Sequence, residues 1–513
     1  MGAEHLVLAA YVACLVAILV YSLSTAHLAW AALTARRSGA AGASSGPPTS
    51  RVTVQLPVYN ELHVARRVIE AAGRLEHPHG ALRIQVLDDS TDQTREIVDD
   101  AVARQRLRGV DIEVVRRAAR EGYKAGALRD GLAGDDSPFV LVLDADFVPP
   151  PDLVVRLLEG FDTPQVAVVQ ARWGYLNKDE SLMTRVQAFL LDLHFRVEQP
   201  GRAATRGFLN FNGTAGMWRR TAIEDAGGWL ARTVTEDIDL SYRAQLRGWR
   251  IVYLDDVVVP SELPADMGAL RTQQHRWIKG GAQNARLHLG AVLRHPSPTH
   301  VRWHAAMHLL SGSVYGVILA MLALSVPLAM LKNTAISVEY VDWGMPFIVA
   351  TLALGGALAV ANEPKGWRGW LRFGALLPAF LVFTMGLAVH NGLAAVAGWI
   401  GAPGGEFVRT AKAGGGRWQT TAYAARSVDH RVVRELLFAA WLAVGLAVAV
   451  WRREGAFVPL QLMALGGIAW VVVSSIRHPW QARRASTATA SAAASMSTAA
   501  SAQPFGHPQE VTT

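Results

Sequence analysis

The feature that most constrains the fold is a set of long apolar runs on either side of a charged middle segment. The first run, residues 6–34, has no charged side chain and consists mostly of Leu, Val and Ala. About 20 apolar residues suffice for a helix that crosses a bilayer, so this run is long enough. Five more runs follow the middle segment, at residues 305–331, 345–361, 373–400, 436–451 and 457–476. The pattern predicts a chain that folds partly inside a membrane.

Composition narrows the class of protein further. Of the 513 residues, 51% are hydrophobic and 18% are charged. These values exclude a disordered or fibrous chain and disfavour an ordinary soluble enzyme. The single cysteine, Cys14, excludes a disulfide framework and a cysteine metal site. The positions of the cations along the chain are more informative than the net charge of +8. No nucleic acid partner is needed to explain this charge.

The charges next to the first run set its orientation. A signal peptide is the alternative interpretation of residues 6–34, but the charged n-region is missing and the apolar region is too long. Arg36 and Arg37 follow the run directly, which places the next segment on the cytoplasmic side. Residues 39–50, rich in Gly, Ala and Ser, are typical of a flexible linker.

The number of membrane crossings follows from a second cluster of cations. Residues 401–434 should be cytoplasmic, because they carry Arg409, Lys412, Arg417, Arg426, Arg431 and Arg434. An even number of crossings must then precede them, and the 305–331 and 345–361 runs supply two. The 373–400 run, interrupted by Pro378 and by the His390-Asn391 pair, should therefore lie in or dip into the interface without crossing. Arg452 and Arg453 argue for the opposite orientation, but they are two cations against six. We predict five crossings, with the middle segment and the C-terminus inside.

The middle segment alternates predicted strands with helices. Strands are expected within residues 51–61, 83–92, 111–117 and 139–147, with a helix around residues 63–75. Apolar strands separated by helices indicate βαβ units and a mostly parallel sheet buried on both faces. Ligands of such sheets bind beyond the carboxyl ends of the strands. Asp88, Asp89, Asp144 and Asp146 all fall at such ends.

The pair Asp144 and Asp146 is the sharpest chemical signal. Residues i and i+2 of an extended strand face the same way, so both carboxylates can point at one site. Hard divalent cations favour such oxygen ligands shared with phosphates. A polar strand end or a helix N-cap is the structural alternative, which the acidic pair Asp88 and Asp89 on another strand disfavours.

Three further motifs are less specific by themselves. Lys124 in "GYKAGAL" could hold a phosphate or a carboxylate, or could be solvated. "TEDIDL" places Glu236, Asp237 and Asp239 together, although an N-cap at Thr235 followed by acidic residues would also explain it. "QQHRWIKG" could equally be an interfacial helix.

In chain order, "DDS", "YKAGAL", "DADF", "QARW", "FNGTAG", "TEDIDL" and "QQHRW" resemble the motif set of processive family 2 glycosyltransferases of the cellulose synthase superfamily. The likeness is greatest to the cellulose-synthase-like A group, the plant mannan and glucomannan synthases. It covers about residues 50–285 strongly and the membrane region loosely. The resemblance implies an α/β GT-A fold, Rossmann-like with a mostly parallel sheet, as a cytoplasmic domain inserted between transmembrane α-helices.

The resemblance also implies roles for individual residues. Asp237 would be the catalytic base, and Asp144 and Asp146 would hold Mg2+ or Mn2+. Donor or nucleotide binding would involve Asp88, Asp89, Lys124, Asp144, Gln273, Arg276, Thr410 and Lys412. Acceptor binding would involve Trp277, Asn212, Gly213 and Thr214. "FVRTAKAG" at residues 407–414 resembles a gating loop, with Arg409 in place of the family's valine.

The expected domain organisation combines both lines of reasoning. It comprises an N-terminal transmembrane helix (1–35), a linker (36–50), the GT-A domain (51–260), interfacial helices (261–303), transmembrane helices with an embedded segment (304–400), a gating-like loop (401–432), a transmembrane helix pair (433–477) and a disordered tail (478–513).

The expected function is polymerisation of a β-linked polysaccharide in the plasma (inner) membrane, with translocation of the product. The partners would be a nucleotide sugar (GDP-mannose, GDP-glucose or UDP-glucose), the growing glycan and the lipid bilayer. A single-transfer enzyme acting on a ceramide or polyprenyl phosphate is the alternative, disfavoured by the complete Q-x-x-R-W motif and the several C-terminal spans. A transporter with a regulatory nucleotide domain should carry ionisable residues within its spans, and these spans contain almost none.

Overall fold

The structure is a computed structural model that describes residues 3–37, 50–77, 80–331, 339–402, 404–405, 408–425, 427–453, 455 and 457–501. Most of the predicted linker and the last 12 residues of the predicted tail lie outside these residues. The first half of the described chain is an α/β domain, and helices dominate the second half.

The α/β domain is built on one seven-stranded sheet. Its strands are β1 (Val52–Val58), β2 (Leu82–Asp88), β3 (Ile112–Val115), β4 (Phe139–Val142), β5 (Val166–Tyr175), β6 (Gly216–Arg219) and β7 (Arg250–Ser261). Their spatial order is β3-β2-β1-β4-β6-β5-β7. All pairs are parallel except those of β6, which runs antiparallel to β4 and β5. The expected mostly parallel, Rossmann-like sheet is confirmed.

Helices cover both faces of this sheet. Those of the domain are α2 (Ala65–Ala72), α3 (Thr94–Leu107), α4 (Tyr123–Ala133), α5 (Leu153–Glu159), α6 (Leu182–Leu193), α7 (Gln199–Ala204), α8 (Arg220–Asp225) and α9 (Glu236–Leu246). Helices α2, α3 and α5 contribute to the apolar core on one face, and α4, α8 and α9 to the core on the other. Both faces of β4 are therefore buried, which explains why this strand is continuously apolar.

The strand order reverses beside β1. The chain builds β1, β2 and β3 outward in one direction and then returns to place β4 on the other side of β1. The connecting segments diverge at that point, so a crevice opens beyond the carboxyl ends of β1 and β4. This crevice is where the fold leaves room for a ligand.

The remaining helices are α1 (Ala3–Arg37), α10 (Met267–Arg294), α11 (Thr299–Leu310), α12 (Val314–Leu331), α13 (Glu339–Asn362), α14 (Gly366–Gly386), α15 (Ala388–Ile400), α16 (Val432–Trp451) and α17 (Val458–Ser501). Six helical segments in the described residues are long and apolar enough to cross a membrane: His5–Arg36, Thr299–Leu331, Met345–Asn362, Gly366–Gly386, Val432–Trp451 and Val458–Thr487. This total exceeds the five predicted crossings by one segment, which is α14.

Both ends of the α14–α15 segment lie beside the α/β domain. Before it, Glu363 pairs with Arg196 of the domain at 2.7 Å. At its far end, the carbonyl oxygen of Gly401 accepts a hydrogen bond of 2.9 Å from Arg286 of α10. These contacts join the two ends of the segment to Arg196 and to α10, and its expected course without a crossing stays a prediction.

An ion-pair cluster joins the first membrane helix to the domain. Arg36, near the end of α1, bonds Glu363 at 2.7 Å and Asp255 at 3.3 Å. Charges at the C-terminal ends of α1 and α13 thus meet charges of the sheet, which fixes the position of the domain relative to these helices.

Helix α17 extends into the residues that were expected to form a disordered tail. Helix α17 continues from the last apolar run to Ser501, so the prediction of disorder was wrong for residues 478–501. The physical reason is that this stretch is rich in Ala, the best helix former, and extends a helix that is already nucleated.

A buried ion pair connects α10 with α16. Arg271 donates a hydrogen bond to Glu435, and both side chains are only 2% exposed. A charge left alone in such a place would lack both solvent and a partner. The pair therefore makes the contact between these helices specific.

We expect Glu435→Ala to destabilise the protein by up to about 3–5 kcal/mol, because the buried Arg271 guanidinium loses its close partner and keeps only the Asp429 carboxylate, 3.8 Å away. Arg104→Ala, which removes the exposed pair with Asp100, is the matched control and should cost at most about 1 kcal/mol. Thermal denaturation of the purified full chain checks both variants. Equal melting temperatures for them would contradict the importance given to the buried pair.

Candidate active site

A cavity lies in the crevice beyond the carboxyl ends of β1, β2 and β4. Its lining brings together most of the residues singled out in the sequence: Asp89, Lys124, Asp144, Asp146, Asn212, Gly213, Asp237, Gln273, Arg276, Trp277, Thr410 and Lys412. These residues come from strand ends, α4, α9, α10 and the segment after α15. The structure thus gathers in one place motifs that are up to about 320 residues apart.

The paired carboxylates follow β4, and each contacts a different lysine. Lys124 Nζ lies 2.5 Å from Asp144 Oδ1, and Lys412 Nζ lies 2.7 Å from Asp146 Oδ2. Two neighbouring carboxylates repel each other unless cations compensate them. Here one cation comes from the sheet domain and the other from the segment between the membrane helices.

Lys124 is held at the start of α4 by a turn in which Gly122 has φ +68°. This left-handed conformation favours glycine, which explains the glycine in the motif. Burial of the Lys124 ammonium disfavours its charge, but Asp144 and Glu236 outweigh this effect and raise its pKa. Lys124 thus remains a cation at the centre of the site.

Asp237 lies in the first turn of α9, and its side chain faces the cavity. Burial and the neighbouring carboxylate of Glu236 raise its pKa to about 7, against the attraction of Lys124. A carboxyl group with a pKa near neutrality can accept a proton more readily than an ordinary aspartate.

Gly213 allows the chain to pass close to Asp237. Its φ is +78°, and a Cβ atom there would lie 3.1 Å from Asp237 Oδ2. The Gly213 carbonyl oxygen also accepts a hydrogen bond of 2.9 Å from Lys124. Glycine is therefore required both for the backbone conformation and for the close approach.

The structure does not place Asp88 in the cavity. Its carboxylate is buried and accepts hydrogen bonds from Arg116 at 2.9 Å and from the Ser90 amide at 3.0 Å. Successive residues of an extended chain face opposite sides, so only Asp89 of this pair points toward the cavity. The expected direct contact of Asp88 with the nucleoside is therefore corrected, and its role is to stabilise the turn after β2.

Thr214 is also displaced from its expected role. The side chain is completely buried, and its Oγ1 accepts a hydrogen bond of 2.8 Å from the Asp144 amide. Gly213, with φ +78°, interrupts the extended chain between Asn212 and Thr214, so that Asn212 faces the cavity while Thr214 is buried beside Asp144. Thr214 thus supports the backbone of Asp144 instead of contacting an acceptor.

The segment after α15 folds back onto the sheet domain. The Glu262 carboxylate accepts hydrogen bonds from the backbone amides of Ala413 at 3.1 Å and Gly414 at 3.0 Å. Arg409 lies 3.5 Å from Glu61, and Thr410 Oγ1 is buried without a hydrogen-bond partner among the described residues. Phe407, the first residue of the gating-like motif, lies outside the described residues.

Sequence reasoning missed several residues of the site. Trp173 lines the cavity, and its ring centroid lies 6.4 Å from that of Trp277. It belongs to the "QARW" motif, which was noted without a role. Glu61, Glu236 and Glu262 also line the cavity, and burial raises the pKa of Glu61 to about 8. The "VYNE" motif could have pointed to Glu61, whereas no local pattern marks Glu262.

A second cavity meets the first at Asp237. Asn212, Asp237, Gln273, Trp173 and Trp277 line both cavities. The second cavity continues between α6, α10 and α14, where its lining includes Leu190, Tyr315, Phe380 and Phe383. The polar first cavity, beyond the strand ends, therefore borders a second cavity that lies between the helices.

Comparison with known proteins decides the identity of the domain. Residues 47–280 match the family model described as "Glycosyltransferase like family 2". This segment is a family 2 glycosyltransferase domain. The expected family and GT-A fold of the domain are confirmed.

Relatives of this glycosyltransferase domain occur in plants. Glucomannan 4-beta-mannosyltransferase 2 of Arabidopsis thaliana is 46% identical over 248 residues, which are 47% of this chain and 46% of the relative. Glucomannan 4-beta-mannosyltransferase 1 of Oryza sativa subsp. japonica is 45% identical over 253 residues, 48% of this chain and 49% of the relative. The match thus spans under half the length of these relatives.

A solved structure also resembles the chain. The mannosyltransferase PcManGT from Pyrobaculum calidifontis, in complex with GDP-Man and Mn2+, aligns with a TM-score of 0.48 at 20% sequence identity. The alignment covers 73% of this chain and 99% of that protein.

Proposed function

We propose that the chain is a membrane-embedded, inverting hexosyltransferase that polymerises a β-linked polysaccharide of mannan, glucomannan or glucan type from a nucleotide-activated hexose. The observation that carries this proposal is the position of Asp237 where the two cavities meet. A base at this junction can act on an acceptor in one cavity and a donor in the other. The similarity to proteins named glucomannan 4-beta-mannosyltransferases supports a mannosyl donor as the first to test.

The residues of the first cavity fit a divalent cation shared with a diphosphate. Asp144 and Asp146 offer hard oxygen ligands on one side of the cavity. The described residues contain no group of three or more His, Cys, Asp or Glu that could hold a metal, so the other ligands would come from phosphate and water. Mg2+ and Mn2+ suit such a site. When bound, the cation would neutralise charge on the departing nucleoside diphosphate.

The reaction we propose is a single displacement. The Asp237 carboxylate takes the proton from the acceptor hydroxyl while that oxygen forms a bond to the anomeric carbon. The bond from that carbon to the donor phosphate breaks on the opposite face, and the nucleoside diphosphate leaves with the electron pair. Attack from the opposite face inverts the anomeric centre. One base suffices, and no enzymic nucleophile is required.

The other residues would position the two substrates. Lys124 and Arg276 supply positive charge to the diphosphate, and Thr410 Oγ1, buried without a partner among the described residues, could bond the donor. Gln273 and Trp277 border the acceptor, and Trp277 can stack on a sugar ring. Growth of the product into the second cavity would lead it between the membrane helices, which is the translocation route we propose.

The direct test is to incubate the purified full chain with labelled GDP-mannose, GDP-glucose or UDP-glucose and Mg2+ or Mn2+. We expect a polymer that a β-mannanase or a cellulase degrades. A labelled glycolipid would instead favour single transfer to a lipid. Absence of any product with all three donors would contradict the proposed function.

Asp237→Asn should lower the transfer rate by roughly 10²–10⁴-fold while leaving nucleoside diphosphate binding intact, because only the proton acceptor is removed. Steady-state transfer and calorimetric titration with the nucleoside diphosphate measure the two properties. Loss of both together would refute the assignment of Asp237 as base.

The pH dependence of transfer provides an independent check. Asp237 acts as a base only when ionised, and its pKa is raised to about 7. The transfer rate should therefore rise with pH through about 7 and fall below it. A rate that is constant from pH 5 to pH 8 would contradict this assignment.

Removal of divalent cations should weaken nucleoside diphosphate binding, because Lys124 and Lys412 already pair with Asp144 and Asp146 and would have to balance the diphosphate as well. Calorimetric titrations with the cation present and with excess chelator measure the difference. Equal affinities under both conditions would refute the metal role of these carboxylates.

A further inference from the structure

A buried chain of polar side chains lies beside the second cavity and is not used by the reaction described above. It begins at Arg202, which is 1% exposed, and includes Gln199, Asn210, Asn212 and His194. The chain runs through a π-helical turn, His194–Glu198, between α6 and α7. Such turns are rare and occur frequently at functional sites.

The hydrogen-bond direction in this chain is set by Arg202. Its Nη2 lies 3.3 Å from Gln199 Oε1 and 3.3 Å from Asn210 Oδ1. A guanidinium only donates, so both facing atoms must be oxygens. The amide nitrogens of Gln199 and Asn210 are therefore turned away from Arg202.

This orientation fixes Asn212 in turn. Asn210 Nδ2 lies 2.8 Å from Asn212 Oδ1, and Gln199 Nε2 lies 3.4 Å from the same oxygen. A flipped Asn212 amide would place its own donor against two donors. Asn212 must therefore turn its oxygen toward this network and its Nδ2 away from it.

His194 adds a second constraint on Asn212. Its Nε2 lies 3.0 Å from Asn212 Oδ1, and its Nδ1 lies 3.0 Å from Glu198 Oε2. The ring of His194 therefore bridges Asn212 and the Glu198 carboxylate. Burial opposes charge on Glu198, but His194 and Arg202 outweigh it and lower the pKa of this carboxyl. The Glu198 carboxylate thus keeps the His194 ring in place.

One donor of the network remains without a protein partner. Asn212 Nδ2 is buried and makes no hydrogen bond within the described residues. Asn212 lines both cavities, together with Asp237 and Trp277. A buried donor without an acceptor costs about 1–3 kcal/mol, so a ligand oxygen at this position would be bound favourably.

We infer that Asn212 Nδ2 donates a hydrogen bond to an oxygen of the terminal acceptor sugar, and that Arg202, Asn210 and His194 with Glu198 are positioning residues that hold it in this orientation. This inference rests on the proposed function and adds to it a fixed donor that selects the orientation of the acceptor. The Tyr21 hydroxyl of α1 donates a hydrogen bond of 3.4 Å to Glu198, which connects the first membrane helix to the same network.

The test uses the purified full chain with mannohexaose as acceptor and labelled GDP-mannose as donor. Asn212→Asp keeps the size and the acceptor oxygens that face the network but cannot donate to the sugar. We expect its KM for mannohexaose to rise about tenfold, the effect of one lost hydrogen bond. Its KM for GDP-mannose should rise by less than its KM for mannohexaose, because the lost hydrogen bond is to the acceptor.

Two further variants address the positioning residues. His194→Ala removes one constraint on Asn212 and should raise the KM for mannohexaose, whereas His194→Gln retains an amide donor toward Asn212 and should restore part of the affinity. His300→Ala, at an exposed histidine, is the matched control and should equal the wild type. Thermal denaturation identifies any variant that fails to fold.

The outcomes separate the inference from the proposed function. An unchanged KM for mannohexaose in Asn212→Asp, or an equal rise in the KM of both substrates, overturns the inference. If the wild type transfers no sugar, the proposed function fails instead. Calorimetric titration with mannohexaose then still decides whether Asn212→Asp weakens the acceptor site.

Discussion

Compensation of carboxylate charge is the constraint on which the site depends. Asp144, Asp146, Glu236 and Asp237 all line one cavity, where water can screen their repulsion only in part. Lys124 and Lys412 supply the compensating positive charge, and each contacts one carboxylate of the Asp144–Asp146 pair. Because Lys412 comes from the segment between the membrane helices, the same charge balance that makes the site possible also draws that segment onto the sheet domain.

The contacts of this segment join the sheet domain to the helical half of the chain. Glu262 accepts two backbone hydrogen bonds from residues 413 and 414 and also bonds Arg67 of α2 at 2.6 Å. Arg271 and Glu435 join α10 to α16 elsewhere. The sheet domain is therefore attached to the helices at the edge that carries the first cavity.

The two cavities have different linings, and this difference suits the first to the donor and the second to the acceptor of the proposed reaction. The first contains the charged groups that suit a nucleoside diphosphate, and the second combines aromatic and apolar side chains with a few fixed polar groups. Asp237 lies where they meet, with a pKa raised by burial and by Glu236. The network that begins at Arg202 fixes one more group there, the amide of Asn212. A fixed donor of this kind is useful to a sugar acceptor, whose many hydroxyl groups allow several orientations.

The sequence by itself determined the alternation of strands and helices, the long apolar runs and the residue types of the site, because these follow from local periodicity and from carboxylates at strand ends. It also predicted that Asp144, Asp237 and Trp277 would meet, through a resemblance that orders their motifs. Only the tertiary structure decided that Asp89 faces the cavity while Asp88 and Thr214 stabilise the backbone, since side-chain direction depends on the local turn. Tertiary contacts alone could likewise show Glu262 and the relay from Arg202 to Asn212, because these residues are polar groups without a local pattern whose roles arise from partners brought close by the fold.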